Sequence, residues 1–264
     1  MGDAVPNRGL EANAVLITAA AGGLGRVIAS TFHNAGCEVF ACDIDQSGLD
    51  SLAEEFPGMH VMRCDASCSD SIHRVCDSAQ QKMRAPISVL VNNVGIAGPT
   101  VAAEDVELAD WDSVIRTNLT SHFLFAKSVI PGMKVVRRGL IVNISSCSAK
   151  VGLPLRLPYV VSKGAVLSMT QNLARELGPY GIRVNAILPG PIRGARIQKV
   201  IAEKSQALGV SEQSYEDSLV RYTSMRTLTE PEDIAATIAF LASNGGARIS
   251  GQLVGVDGNI EWEE

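Results

Sequence analysis

The chain lacks most features that would set it apart from ordinary soluble globular proteins. It has no basic excess: 23 lysines and arginines against 28 acids give a formal charge of −5. That leaves no electrostatic footprint for nucleic acid or an anionic membrane. No run of eighteen apolar residues occurs, so no segment reads as membrane-spanning. Met1–Arg8 carries no apolar signal core, and Pro6 breaks the myristoylation pattern that Gly2 would begin. The four histidines (33, 60, 73, 122) are scattered, and the six cysteines (37, 42, 64, 68, 76, 147) form no Cys-x-x-Cys pair. No metal site is expected from them. Thiols inside strands and helices read as small hydrophobes of a reduced, cytoplasmic protein. No repeat, low-complexity segment or linker divides the 264 residues, so residues 1–264 read as one domain with a large core.

What is present is alternation. Apolar strand-like runs at 14–18, 38–43, 60–64, 86–95, 141–144, 183–188 and 251–257 are separated by helical patterns. Helices are expected from Gly25 through Phe32 (capped by Gly36), over 49–56 (stopped by Pro57-Gly58) and over 69–83. Others should run from Trp111 to Val129, ended by Pro131-Gly132, and from Tyr159 to Leu177. A last one should open at Glu230-Pro231, with Ile234, Ile238, Phe240 and Leu241 inward. Pro154 and Pro158 should keep the segment before Tyr159 out of a helix. Residues 194–228, more charged and less regular, read as a helical substrate-binding flap or as ordinary surface. The expected fold is α/β: a single Rossmann-type, doubly wound, seven-stranded parallel sheet with helices on both faces.

Chemistry concentrates at the predicted carboxyl ends of the strands, where such sheets bind ligands. The loop Thr18–Gly25 follows the first strand, and its small residues would let backbone approach a pyrophosphate at a helix N-terminus. Asp43 closes the second strand about twenty residues on, where a carboxylate accepts bonds from adenosine ribose hydroxyls and repels a 2′-phosphate. It favours NAD over NADP, and no basic residue follows it closely; Arg26 is a candidate phosphate partner. Asn92-Asn93-Val94-Gly95 leaves the fourth strand and can bring backbone close to a ligand. Asn118 lies in mid-helix, where asparagine needs a reason: a bond to backbone, or a water held beside Lys163. Ser146 ends the fifth strand. Tyr159 and Lys163, four apart, share the first turn of a helix. An ammonium beside a phenol favours phenolate, so the tyrosine could exchange a proton with an alcohol or ketone oxygen that the serine holds.

Taken together these segments resemble the short-chain dehydrogenase/reductase family over almost the whole chain. Thr18-Ala-Ala-Ala-Gly-Gly-Leu-Gly25 is similar to the family's Thr-Gly-x-x-x-Gly-x-Gly loop, Asn92–Gly95 to its Asn-Asn-Ala-Gly motif, and Pro189-Gly190 to the motif after its sixth strand. Asn118, Ser146, Tyr159 and Lys163 match its tetrad, with serine and tyrosine thirteen apart. The resemblance implies Tyr159 as acid/base, Lys163 on the nicotinamide ribose, Ser146 on the substrate oxygen and Asn118 anchoring a relay water. For the cofactor NAD(H), it implies Ala21, Gly23, Leu24 and Gly25 at the phosphates, Asp43 at the ribose, and Asp65 and Ala66 at the adenine. Asn92, Val94, Gly95 and Pro189 would line the crevice, with the Ile192 backbone at the carboxamide. It also implies a homotetramer joined partly through the helix of Tyr159.

Ala19 replaces the first loop glycine, Gly194 stands where many members have threonine, and Asp257-Gly-Asn replaces Asp-Gly-Gly. The expected activity is NAD(H)-dependent interconversion of a secondary alcohol and a ketone. The alternatives are an NADPH-dependent 3-oxoacyl reductase and a non-catalytic dinucleotide-binding protein. Leu153, Leu155 and Leu157 suggest an apolar substrate wall, whereas Arg156, Arg193 and Arg196 are candidates for an anionic substrate group or for plain solvation.

Overall fold

The computed structural model describes residues 14–260, apart from the side chains of Arg196, Glu203, Lys204 and Ala207. The expectation for Met1–Arg8 lies outside the described residues. Seven strands pair in parallel throughout: β1 Ala14–Thr18, β2 Glu38–Asp43, β3 His60–Arg63, β4 Val89–Asn92, β5 Gly139–Ile144, β6 Ile182–Pro189 and β7 Leu253–Val256. Their order is β3-β2-β1-β4-β5-β6-β7. The winding reverses between β1 and β4, and a crevice opens there beyond the carboxyl ends. The helices are α1 Gly23–Asn34, α2 Gln46–Glu55, α3 Ser69–Lys82, α4 Leu108–Ile115, α5 Ser121–Val136, α6 Ser148–Val151, α7 Leu157–Leu177, α8 Ala195–Leu208, α9 Glu212–Val220 and α10 Pro231–Ala242.

Strand residues β1, β4 and β5 are buried along their whole length because helices cover both faces. Alternate residues serve alternate layers. Val15, Ile17 and Val39 pack with Ile28, Phe32, Leu52 and Ile238 of α1, α2 and α10. Leu16, Phe40, Leu90 and Ile141 pack with Ile72, Phe125, Val129 and Leu177 of α3, α5 and α7. Both cores hold the strand ends in register, and so fix where the terminal side chains emerge.

Four local expectations are corrected. The helix past Trp111 starts at Leu108, passes through a π-turn at Arg116–Thr120, and runs on to Val136 with Pro131 inside it. Pro131 costs one backbone bond, but it is exposed, while Val129 and Met133 on the inner face are fully packed; burial outweighs the proline. Pro158 occupies the opening turn of α7, where its missing N–H would lack a partner anyway, so it starts a helix rather than barring one. One helical turn, α6, precedes it between Ser146 and Pro154. Phe240 faces outward, 51% exposed, because it falls between the stripe positions Ile238 and Leu241.

Candidate active site

The turn from β1 into α1 is tightly fixed. Ala19 adopts φ +53°, the left-handed conformation in which its family counterpart is glycine. Its carbonyl accepts from Asn93 Nδ2 at 3.0 Å. A Cβ on Gly25 would lie 1.9 Å from that same oxygen, so this glycine is demanded by the close approach. Gly22, the N-cap of α1, is extended and supplies no side-chain cap. The first-turn N–H groups of Gly23, Leu24 and Gly25 therefore form a ready cradle for a phosphate. Arg26 does not join them; it binds Glu55, Ser51 and the carbonyls of Ala21 and Gly48.

Asp43 sits against this loop, with Oδ2 accepting from Ala21 N–H at 2.9 Å and Oδ1 from Asp45 N–H at 3.0 Å. Its register partner on β3 is Arg63, whose Nε donates to the Ile44 carbonyl at 3.1 Å. A basic residue thus stands beside Asp43 in space, though twenty positions away in sequence. Asp65 accepts from the Ser67 hydroxyl and N–H, bonds that hold its carboxyl below the usual range, and Ala66 shares the same turn.

The segment leaving β4 is gripped from two sides. Thr18 Oγ1 accepts from the N–H groups of Asn93 and Val94 at 2.9 and 3.1 Å. Opposite, Asn118 Oδ1 accepts from Ile96 N–H at 2.7 Å, while its Nδ2 donates to the Ile96 carbonyl and to Ser162 Oγ. The Asn118 side chain is thus bound to the Ile96 backbone and to Ser162. Asn92 lies wholly buried, donating to Asn143 Oδ1 and to the His122 carbonyl.

Lys163 of α7 reaches the end of β5, two residues before Ser146, and lies beside Tyr159 of its own helix. Lys163 is buried; its Nζ donates to the Ile144 carbonyl at 2.8 Å and lies 5.8 Å from the Tyr159 ring centre. Ser145 Oγ donates to the Lys163 carbonyl at 2.8 Å, docking α7 onto the end of β5. Ser146 Oγ accepts from Ser148 N–H and Oγ–H at 3.2 and 2.9 Å, which leaves its own hydrogen for another acceptor, the neighbouring Cys147 sulfur being one within reach. Gly95 faces the same point: a Cβ there would lie 3.1 Å from Lys163 Nζ. Pro189 closes the far side, its carbonyl accepting from Cys147 N–H at 3.0 Å, and Ile192 bridges to Thr229. Gly194 caps α8.

Two of the three candidate anion-binding arginines are engaged by protein partners. Arg156 donates to the carbonyls of Ala97 and Gly98. Arg193 pairs with Glu230 at 2.8 Å and Glu216 at 3.3 Å, tying α9 to the start of α10. The side chain of Arg196 is outside the described residues.

One buried residue beside the site escaped the sequence reading. His122, fully buried, brings Nε2 to 2.9 Å from the Val94 carbonyl. Burial first, and the nearby Lys163 charge second, push its pKa down to about 3. Its spacing of four from Asn118 was the available signal. The signal was hidden because a lone histidine on an apolar helix face carries no motif.

Comparison with known proteins gives the family and the fold. A family model described as enoyl-(acyl carrier protein) reductase matches residues 19–259. The chain is 36% identical over 257 residues to the 3-oxoacyl-[acyl-carrier-protein] reductase FabG of Thermotoga maritima, covering 95% of this chain and 98% of that one. It is 30% identical to the 7alpha-hydroxysteroid dehydrogenase of Escherichia coli K12, covering 96% and 95%. The crystal structure of gox2181 superposes with a TM-score of 0.86 at 24% identity, covering 96% of each chain, a likeness of fold. The chain belongs to the short-chain dehydrogenase/reductase family, whose oxidoreductases act on hydroxyl and keto groups with a nicotinamide dinucleotide.

Proposed function

We propose that this protein is an NAD(H)-dependent oxidoreductase that interconverts a secondary alcohol and a ketone, with Tyr159 as acid/base. The observation that carries the proposal is the buried Lys163 ammonium, anchored to Ile144 and 5.8 Å from the Tyr159 ring. A cation so close to the ring favours phenolate. Tyr159 then takes the hydroxyl proton of the alcohol, or returns it to the ketone oxygen. Ser146 donates its remaining hydrogen to that oxygen, and Asn118 keeps the floor of the crevice in place. The bound nicotinamide supplies the hydride chemistry. The residues present fit such a group: the uncapped start of α1 offers phosphate donors, and Asp43 stands where a ribose would lie.

The substrate is apolar in this proposal. A cavity of about 470 Å³ is lined by Val101, Val151, Leu153, Leu155, Leu157 and Val160, all but Val101 close to Tyr159 in the chain. Arg156 and Arg193 are engaged elsewhere, which argues against an anionic substrate group. Exposed apolar side chains Leu108, Phe123 and Val161 on α4, α5 and α7 support the expected homotetramer, and six free cysteines support a reducing cytoplasm.

Tyr159→Phe is the direct test. We expect kcat to fall at least 100-fold, the scale of lost general acid–base catalysis, with dinucleotide affinity retained; a wild-type rate sinks the assignment. A second reading, an NADPH-dependent 3-oxoacyl reductase, draws on the likeness to FabG and on Arg63 beside Asp43, a cation of the kind that a 2′-phosphate would pair with. Steady-state comparison of NAD(H) with NADP(H), and of Asp43→Asn with Arg63→Gln, separates the two. Preference for NADP(H) that Arg63→Gln abolishes would replace the first reading with the second.

A further inference from the structure

We propose that His122 is a positioning residue for the dinucleotide: its Nε2–H fixes the Val94–Gly95 peptide that faces Lys163. The proposal rests on the dinucleotide reading of the crevice.

Four bonds to one stretch of helix hold alternate residues of the segment leaving β4. Asn92 Nδ2 donates to the His122 carbonyl at 3.1 Å, His122 Nε2 meets the Val94 carbonyl at 2.9 Å, and Asn118 clamps both polar groups of Ile96. The π-turn Arg116–Thr120 contains Asn118 and feeds directly into the first turn of α5, where His122 lies. Asn118 and His122 are both 0% exposed, so neither bond is shared with solvent. On the opposite side, Thr18 Oγ1 accepts from Val94 N–H, so the two polar groups of Val94 are held by different parts of the fold.

The tautomer follows from the partner. A carbonyl only accepts, so Nε2 carries the hydrogen, and burial beside the Lys163 ammonium keeps the imidazole neutral. Nδ1 is then an acceptor, buried and without a partner. Leaving a ring nitrogen unsatisfied costs free energy, yet the chain places this residue where any aliphatic side chain would avoid that cost. What the aliphatic side chain lacks is the Nε2–H. Its recipient peptide leads into Gly95, where a Cβ would crowd Lys163 Nζ at 3.1 Å. If the Val94 carbonyl turned, Gly95 and the ammonium opposite it would lose their shared position, and with it the surface presented to the ribose.

The test uses three variants of the full-length chain, with NADH and NADPH binding read by fluorescence and thermal stability read in parallel. Gln Nε2 reaches the place of His Nε2, whereas Asn Nδ2 reaches only that of Nδ1. We expect His122→Gln to bind the preferred dinucleotide within about threefold of wild type, and His122→Asn and His122→Phe about tenfold or more weakly, the worth of one buried bond. The KM for dinucleotide should rise with that Kd, while kcat at saturation changes less. Equal affinity in all three variants overturns the proposal. So does equal loss in all three alongside equal loss of melting temperature, because packing alone would then explain it. Wild-type protein that binds neither dinucleotide overturns the reading of the crevice itself, a result distinct from either of these.

Discussion

Replacing Gly25 by alanine tests the loop where the site begins. The new Cβ would stand 1.9 Å from the Ala19 carbonyl oxygen, 2.8 Å from its carbon and 2.8 Å from Asn93 Nδ2. To reach even 3.0 Å, the Ala19 carbonyl must retreat by about 1.1 Å. The obstacle is backbone, so no rotamer change relieves it. Ala19 already sits at φ +53°, which leaves it little freedom to turn further, and its carbonyl holds Asn93. Overpacking of this kind costs roughly 1–3 kcal/mol, and a stretched buried bond adds about 1. At about 2–4 °C per kcal/mol for a chain of this size, the melting temperature should drop by roughly 10 °C. The same displacement moves the first turn of α1 away from the phosphates, so dinucleotide affinity should fall by about 100-fold. Calorimetry and NADH fluorescence titration measure the two effects. A variant that melts and binds like wild type would show that the loop is not packed as described.

Ala19→Gly should act in the opposite direction: removing left-handed strain of about 1–2 kcal/mol against a glycine entropy cost of about 0.5–1 leaves a small net gain, read as a melting temperature raised by one or two degrees; a lower value contradicts it. His122 gives a pH dependence. Its folded pKa of about 3 lies below the ordinary 6.5, so the unfolded chain takes the proton first. Stability from this residue is then full above pH 6.5 and is lost as pH falls toward 3, by about 1.4 kcal/mol per unit. Urea melts of wild type and His122→Gln between pH 7 and 4.5 should diverge by about 2–3 kcal/mol; parallel curves refute the buried neutral imidazole. For the apolar cavity, each methylene added to a 2-alkanol should raise kcat/KM by up to about fourfold, from about 0.8 kcal/mol per buried group. Leu155→Ser should flatten that slope, and a series indifferent to chain length counts against an apolar substrate.

The sequence alone determined the layers and the site's address. Period-two and period-3.6 apolar patterns decide which residues leave water, so the seven-stranded doubly wound sheet was legible, and with it the strand ends where Thr18, Asp43, Asn92 and Ser146 emerge. The i, i+4 spacing of Tyr159 and Lys163 is a local helical fact and needed no tertiary information. Proline positions were legible too, but not their outcome: whether Pro131 ends a helix depends on the packing of Val129 and Met133, which the flanking residues do not encode. The same holds for the partners of long polar side chains. That Asp43 lies beside Arg63, that Asn118 grips Ile96, that Arg193 bonds Glu216 and Glu230, and that His122 meets Val94 are contacts between separate elements. Such contacts are fixed only when strand register and helix docking bring distant segments within bonding distance, and no periodicity along the chain reports that distance.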